Sequence, residues 1–139
     1  RDYDQAIALF KKALEMDPNS FDALFELASL ATYVGRELLS LETWDRAIEI
    51  HPNDIAARCN RGSVLSILKR LDQAENEWKT VIEMDPENAV AHHSIGTFYK
   101  DERGDRAKCT MHYKRALEID PNHRFKSEMI DWLARNRAN

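Results

Sequence analysis

The chain has 139 residues, of which 43% are hydrophobic and 32% charged, and its formal net charge is −4. The hydrophobic content is ample for a folded domain and argues against a disordered chain. Nucleic-acid binders usually carry a basic excess that meets phosphate, and no apolar run reaches the length of about 18 residues that a membrane span needs, so we expect no nucleic acid and no membrane insertion.

Helical spacing of apolar residues predicts eight α-helices in chain order. The first covers about 3–16, with one apolar stripe formed by Tyr3, Ile7, Phe10 and Leu14. Three helix pairs follow at about 20–34 and 37–50, 54–68 and 71–84, 88–101 and 106–119. A last helix covers about 123–136, where an apolar face is formed by Phe125, Met129, Trp132 and Leu133.

The prolines set a regular period along these helices. They are Pro18, Pro52, Pro86 and Pro121, spaced 34, 34 and 35 residues apart. Because proline cannot continue an α-helix, each one marks the exit from the second helix of a pair. We expect the asparagine that follows the proline to cap the next helix. A fixed period of this size is typical of a solenoid of stacked helix pairs.

The helix before each proline repeats one order of side-chain sizes. An aromatic ring recurs at Phe10, Trp44, Trp78 and Tyr113. A small residue lies four positions earlier, at Ala6, Ser40, Ala74 and Cys109. Offsets of three and four residues place side chains on one helical face. The pattern therefore predicts helices that approach closely at the small residues, with the rings filling the gaps between pairs.

Taken together, the period and the small–aromatic–small–proline order resemble the tetratricopeptide repeat (TPR) family over nearly the whole chain. The resemblance implies an all-α fold, a right-handed TPR superhelix (an α-solenoid) of antiparallel helix hairpins in a single domain, 1–139. The parts would be the second helix of an incomplete repeat at 1–18, full repeats at 21–54, 55–88 and 89–123, and a C-terminal capping helix at 124–139. That last helix could equally begin a further repeat.

Details of the first helices fit the family less tightly. The family favours a glycine about eight residues into this helix, and Gly62 and Gly96 match it. Arg58 and Arg61 occupy positions that are usually apolar, which predicts a wetter packing seam. The 35-residue unit has its extra residue within the turn at 100–104.

For function, the resemblance implies a scaffold that binds a peptide or partner protein in a concave groove, and not an enzyme. The groove would be lined by the first helices, through Asp22, Phe25, Glu26, Ser29, Tyr33, Asn60, Ser63, His93, Thr97 and Lys100. These short polar side chains suit an extended peptide. Of the adjacent histidines His92 and His93, we expect one to pack and one to face the groove.

Two other functions remain open, and one subclass is disfavoured. The chain could be a self-assembling oligomerisation module that uses the uncovered N-terminal helix, or a substrate-docking arm of an enzyme whose catalytic domain lies outside it. Chaperone-adaptor TPR domains hold a C-terminal carboxylate with five basic and amide residues. Of these only Asn60 is present, since Phe25, Ser29, Val90 and Ser94 replace the others. We therefore expect no tight binding of chaperone tails.

One pair of residues is a candidate for chemistry. Cys109 and His112 lie one helical turn apart, which could form part of a metal site or an activated thiol. However, Cys109 takes the small buried position of the repeat, so we expect a core residue, no metal and no cofactor. Cys59 and Cys109 do not suggest a disulfide framework, which favours a reducing, cytoplasmic compartment.

Overall fold

The computed structural model describes residues 2–137, and within that range the regular structure is entirely helical. The predicted all-α class is confirmed. The helices are α1 Asp2–Met16, α2 Phe21–Tyr33, α3 Glu37–Ile50, α4 Ile55–Ile67, α5 Leu71–Met84, α6 Ala89–Phe98, α7 Arg106–Ile119 and α8 Lys126–Arg135. A π-helical turn, Tyr99–Arg103, continues α6.

Side chains two residues after the prolines begin the first helices. The side-chain oxygens of Ser20, Asp54 and Asn88 accept the backbone N–H three residues further on, at 3.3, 2.8 and 2.9 Å. The expectation that the residue directly after the proline is the cap is therefore wrong. Asn19 still belongs to the turn, where its own N–H bonds the Asp17 carboxylate at 3.2 Å. A cap needs extended backbone next to the helix, and Ser20 has it.

Residue contacts divide the chain into two compact units, Arg1–Glu77 and Trp78–Asn139, here called unit 1 and unit 2. The boundary falls within α5. In unit 1, α2 and α3 form a hairpin that turns at Gly35, where φ is +75°. Trp44 and Ala47 of α3 are fully buried, as the repeat pattern predicts. Ser40 is buried too, and its hydroxyl donates to the Ala28 carbonyl at 2.9 Å.

In unit 2, α6 and α7 form the corresponding hairpin. The extra residue of the longer repeat is absorbed by the π-helical turn, which ends at Gly104 with φ +64°. Tyr113 is fully buried, and its ring meets Trp132 of α8 edge to face with centroids 5.6 Å apart. At Gly96 the two helices approach so closely that an added Cβ would lie 2.5 Å from the Tyr113 ring. This contact explains why a glycine lies at position 96.

Candidate functional site

The first helices of unit 1, α2 and α4, contact each other and carry most of the predicted groove residues. We call these residues the unit 1 face. They are Asp22, Phe25, Glu26, Ser29 and Tyr33 on α2 and Asn60, Ser63 and Ile67 on α4. Ile67 also has a groove position in the repeat, and it is a large apolar side chain with 52% of its surface exposed.

Two carboxylates of α2 are exposed and one helical turn apart. Within residues 2–137, neither Asp22 nor Glu26 forms an ion pair or hydrogen bond through its side chain. Residues four apart on a helix lie on the same side. The first half of the α2 surface therefore presents two negative charges that the described part of unit 1 does not neutralise.

Aromatic side chains support this face from below and extend it at one end. The half-buried ring of Phe25 meets Trp44 edge to face at 4.9 Å, so Phe25 links the surface to the core. Tyr33 is 75% exposed and touches Tyr3 of α1 edge to face at 5.6 Å. With Ile67, the end of the face offers apolar surface.

Between these ends lie neutral polar groups. The Asn60 amide is half-buried and forms no hydrogen bond with any residue of the described range. An amide can both donate and accept, as a peptide backbone also can. Ser63 is exposed, and its hydroxyl donates to the Cys59 carbonyl at 3.2 Å. Asn60 is therefore the polar group on α4 that is best placed to bond a ligand.

A buried ion-pair cluster that the sequence analysis missed lies beside this face. Glu77 is 4% exposed, and its two oxygens accept from Arg58 at 2.7 Å and from Arg61 at 2.5 Å. Arg61 also bonds Asp45 at 2.7 Å. Burial lowers the pKa of Arg61, but the bonds to Asp45 and Glu77 leave it raised. Both arginines are thus committed to a buried carboxylate.

The predicted wetter seam at Arg58 and Arg61 has this cluster as its physical basis. A signal for it was present in the sequence. Glu77 lies three residues after Ala74 and four before Val81, on the apolar stripe of α5, and a buried carboxylate requires charged partners. The two unusual arginines supply them.

The groove position predicted for His93 is wrong, because the residue is only 8% exposed. Its ring is stacked between Tyr113 and Phe125, at centroid distances of 5.7 and 4.5 Å. Phe125, which directly precedes α8, covers the surface that the repeat pattern would leave open. His92 is 6% exposed, so both histidines pack. Burial lowers the pKa of His93, which favours the neutral ring.

The other two predicted residues of unit 2 bond to side chains of their own unit. The Thr97 hydroxyl lies 3.0 Å from the Tyr113 hydroxyl. The Lys100 ammonium lies 3.6 Å from a Glu128 oxygen and 3.8 Å from Asp101. The unit 2 residues therefore offer fewer unsatisfied groups to a ligand than those of unit 1.

Cys109 and His112 do not form a reactive pair. The Nδ1 atom of His112 lies 3.0 Å from Nδ1 of His92, whose Nε2 is 2.8 Å from the Pro86 carbonyl. Because a carbonyl only accepts, His92 carries its proton on Nε2 and accepts from His112 on Nδ1. Burial first, and then electrostatic interaction with His92 and Lys108, lowers the pKa of His112 to about 4.

The thiol itself is a core group, as expected. Cys109 is fully buried, and burial raises its pKa to about 11, so it stays protonated at neutral pH. Across residues 2–137, no three His, Cys, Asp or Glu side chains are grouped to hold a metal ion. The same range contains no helix with the length and apolar character of a membrane span.

Comparison with known proteins agrees with this fold. Models of the tetratricopeptide repeat match residues 1–32 and 43–76. The solved structure of YrrB, described as a TPR protein with an unusual peptide-binding site, is 28% identical and superposes with a TM-score of 0.82. The match covers 93% of this chain and 66% of YrrB, so the chain spans just under two thirds of that protein.

Two structures of MamA show the same fold at lower identity. One is 20% identical, with a TM-score of 0.81 over 96% of this chain and 85% of MamA. MamA from Desulfovibrio magneticus RS-1 is also 20% identical, with a TM-score of 0.80 over 88% of this chain and 69% of its own. No curated protein sequence matches the chain. The two models identify tetratricopeptide repeats at residues 1–32 and 43–76 of this chain, and the helix hairpins and the likeness to YrrB agree with that assignment.

Proposed function

We propose that this chain is a protein-interaction module that binds an extended peptide on the unit 1 face. The observation that carries the proposal is the set of unsatisfied groups there. Asp22, Glu26 and Asn60 have no side-chain partner within the described residues, and exposed Tyr33 and Ile67 lie on the same two helices. YrrB, which shares the fold, has a peptide-binding site, and this supports the assignment.

The chemistry of the face defines the peptide. A lysine or arginine of the ligand would meet Asp22 and Glu26, an amide of its backbone would bond Asn60, and an apolar side chain would cover Tyr33. These groups stand on packed helices, so the protein loses little conformational entropy on binding. The role is binding and not catalysis, and peptide is favoured over nucleic acid because the free charges are negative.

A C-terminal carboxylate is a poor ligand for this face. The two arginines beside it, Arg58 and Arg61, already bond Glu77, and its free charges would repel an anion. Chaperone tails therefore remain disfavoured, as the sequence predicts. Lost positive charge in such a clamp cannot be replaced by shape complementarity.

The test is selection from a random peptide library on the immobilised chain, followed by fluorescence anisotropy with the enriched peptides. We expect enriched peptides to carry a basic residue a few positions from an aromatic or aliphatic one. Glu26→Lys and Asn60→Ala should each weaken their binding roughly fivefold or more, because each removes a ligand contact of about 1 kcal/mol or more.

Glu83→Lys is the matched control, since Glu83 is exposed on α5 and outside the face. It should leave affinity within twofold, and circular dichroism should show all three variants folded. Enrichment of acidic peptides, or unchanged affinity in Glu26→Lys, would disprove the assignment. A mass that rises with concentration while no peptide is enriched would favour the self-assembly function instead.

A further inference from the structure

Two imidazole rings of unit 2 lie against each other where the turn at 120–125 packs on α6. His93 and His123 are both more than nine-tenths buried, and their ring centroids are 5.3 Å apart. The Nε2 atom of each ring is buried and has no hydrogen-bond partner among the described residues. Because a buried polar atom without a partner costs free energy, this contact is less stable than the same contact between apolar rings would be.

Elsewhere in the chain these two positions hold side chains that do not titrate. Counted from the prolines, His93 corresponds to Phe25 of α2, and His123 corresponds to Asn88, which caps α6. Histidine is the side chain whose charge ordinarily changes between pH 5 and 8. Unit 2 therefore has two pH-sensitive groups next to each other, at positions where the repeat does not require them.

The His123 ring also holds the turn that leads into α8. Its Nδ1 atom accepts the backbone N–H of Phe125 at 3.1 Å. A nitrogen that accepts carries no proton, so the neutral ring has its proton on Nε2. A second proton can bind only at Nδ1, where it would face the N–H of Phe125 and break the bond. A charge on His123 is therefore incompatible with the bond that positions Phe125.

The surroundings of His93 disfavour a charge on its ring as well. The titratable and charged groups around it are Tyr113 of α7, Lys100 of the π-helical turn, His123 and Arg124 of the turn at 120–125, and Glu128 of α8. Burial has the largest effect and lowers the pKa of His93; Glu128 raises it, and the other charged groups lower it. The Glu128 carboxylate lies 3.9 Å from Nε2 of His93 but 3.6 Å from the Lys100 ammonium. It can therefore compensate a proton on His93 only in part.

We propose that His93 and His123 form an acid-operated latch, which holds the turn at 120–125 on α6 at neutral pH and releases it in mild acid. Above about pH 6.5 an imidazole is neutral whether buried or in water, so the pH does not act on the latch. Below it, the released rings bind protons more readily than the buried ones, and this favours release.

Release changes the surface that unit 2 presents. Phe125 leaves the His93 ring, on which it stacks with centroids 4.5 Å apart, and the surface of α6 around His93 becomes open to a ligand. The latch thus regulates the first-helix surface of unit 2 by pH. It does not rest on the function proposed for the unit 1 face, and either can fail without the other.

Hydrogen exchange measured by NMR on the intact chain tests the latch. The amides to follow are those of Phe125 and Lys126, which bond Nδ1 and the carbonyl of His123. Their exchange, corrected for the intrinsic rate, should rise about five- to tenfold between pH 7 and pH 5.5, as expected when one imidazole binds a proton on release. At both pH values they should exchange faster than amides of α6 and α7, because the turn opens while the hairpin stays closed.

The matched variants take their side chains from other repeats of the chain. His93→Phe introduces the ring of Phe25, and His123→Asn introduces the cap side chain of Asn88, whose oxygen can accept the same N–H. The double variant should keep the turn closed at pH 7, and exchange should change less than about twofold at pH 5.5. His112→Gln removes a buried imidazole outside the latch and should retain the full rise.

Three results would each overturn the latch. The first is unchanged exchange of the Phe125 and Lys126 amides in the native chain between the two pH values. The second is exchange of these amides at the rate of the α6 and α7 amides, because unit 2 would then open as a whole. The third is an equal rise in the double variant. The first two need no substitution, so the test is decided even where the double variant does not fold.

Discussion

The two units of this TPR chain differ in the kind of polar group that they bury: charged side chains in unit 1 and neutral rings in unit 2. In unit 1 a fully ionic cluster is buried, with the Glu77 carboxylate held by Arg58 and Arg61. In unit 2 the buried polar groups are imidazole rings, of which His112 is kept neutral by a pKa near 4 and His93 by a lowered pKa. A buried ion pair should destabilise the fold when one partner is removed, because the other charge is left buried without compensation. Buried neutral histidines should destabilise the fold at low pH, because protonation gives them a charge.

The surfaces of the first helices, α2 and α4 in unit 1 and α6 in unit 2, also differ in how many polar groups have partners. In unit 1, Asp22, Glu26 and Asn60 remain without side-chain partners in the described structure. In unit 2, Phe125 stacks on His93, and Glu128 of α8 approaches Lys100. The same repeat thus leaves its surface open or closed according to a few side chains from the next helix, not according to the period itself.

The largest expected effect tests the ionic side of this comparison. Glu77→Ala leaves Arg58 and Arg61 partly buried without their carboxylate, and should lower the free energy of unfolding by about 3–5 kcal/mol. Urea denaturation followed by circular dichroism measures it. Glu83→Ala, on the exposed side of the same helix, should change stability by about 0.5 kcal/mol or less. If Glu77→Ala is equally mild, the cluster does not contribute to stability.

The second largest expected effect is a loss of stability at low pH, which should arise in unit 2. The pKa of His112 falls from 6.5 when exposed to about 4 in the fold, so folding favours the neutral ring. Above pH 6.5 the ring is neutral in both the folded and the unfolded chain. As the pH falls towards 4, protons bind the unfolded chain more readily than the folded one, so the free energy of unfolding should fall by roughly 2–3 kcal/mol. His112→Gln should flatten this dependence of unfolding free energy on pH.

Hydrogen exchange locates the effect within the chain. Between pH 7 and pH 4.5, after correction for the intrinsic exchange rate, amides of α6 and α7 should lose more protection than amides of α2 and α3. His51→Gln changes an exposed histidine of unit 1 and should leave the difference unchanged. Equal loss in both units would contradict the assignment of acid sensitivity to the buried imidazoles.

The distance between the two helices of a hairpin gives a third, smaller difference between the units. At Gly96 an added Cβ would lie 2.5 and 2.7 Å from Tyr113 ring atoms, so Gly96→Ala should cost about 1–3 kcal/mol through overpacking. The corresponding residue in unit 1 is Ala28, which is fully buried. There the reverse change, Ala28→Gly, should cost about 1 kcal/mol through helix propensity and lost contact. A stabilising Gly96→Ala, measured by thermal unfolding, would show that the helices can separate freely.

Much of the fold could be predicted from the sequence because it depends on local periodicity. The prolines, the rings and the small residues fixed the number and order of the helices, and burial of Trp44 and Tyr113 follows from their spacing alone. Even the extra residue of the longer repeat falls where the π-helical turn forms.

The site was less predictable because it depends on which side chains meet across helices. His93 has a groove position in the repeat, but Phe125, 32 residues later, stacks on it. Glu77 was missed because its two arginines come from another helix. Periodicity states which face of a helix a residue occupies, and it does not state what will lie opposite.

The helix caps give the smallest expected effect and the one respect in which the units behave alike. Asp54 in unit 1 and Asn88 in unit 2 accept the first free N–H groups of α4 and α6. Replacing either with alanine should cost about 1 kcal/mol, because one backbone donor loses its partner. Asn53→Ala is the matched control, since Asn53 directly follows the proline and should cost less than about 0.5 kcal/mol. If thermal unfolding shows that Asn53→Ala lowers stability more than Asp54→Ala does, the residue directly after the proline is the helix cap after all.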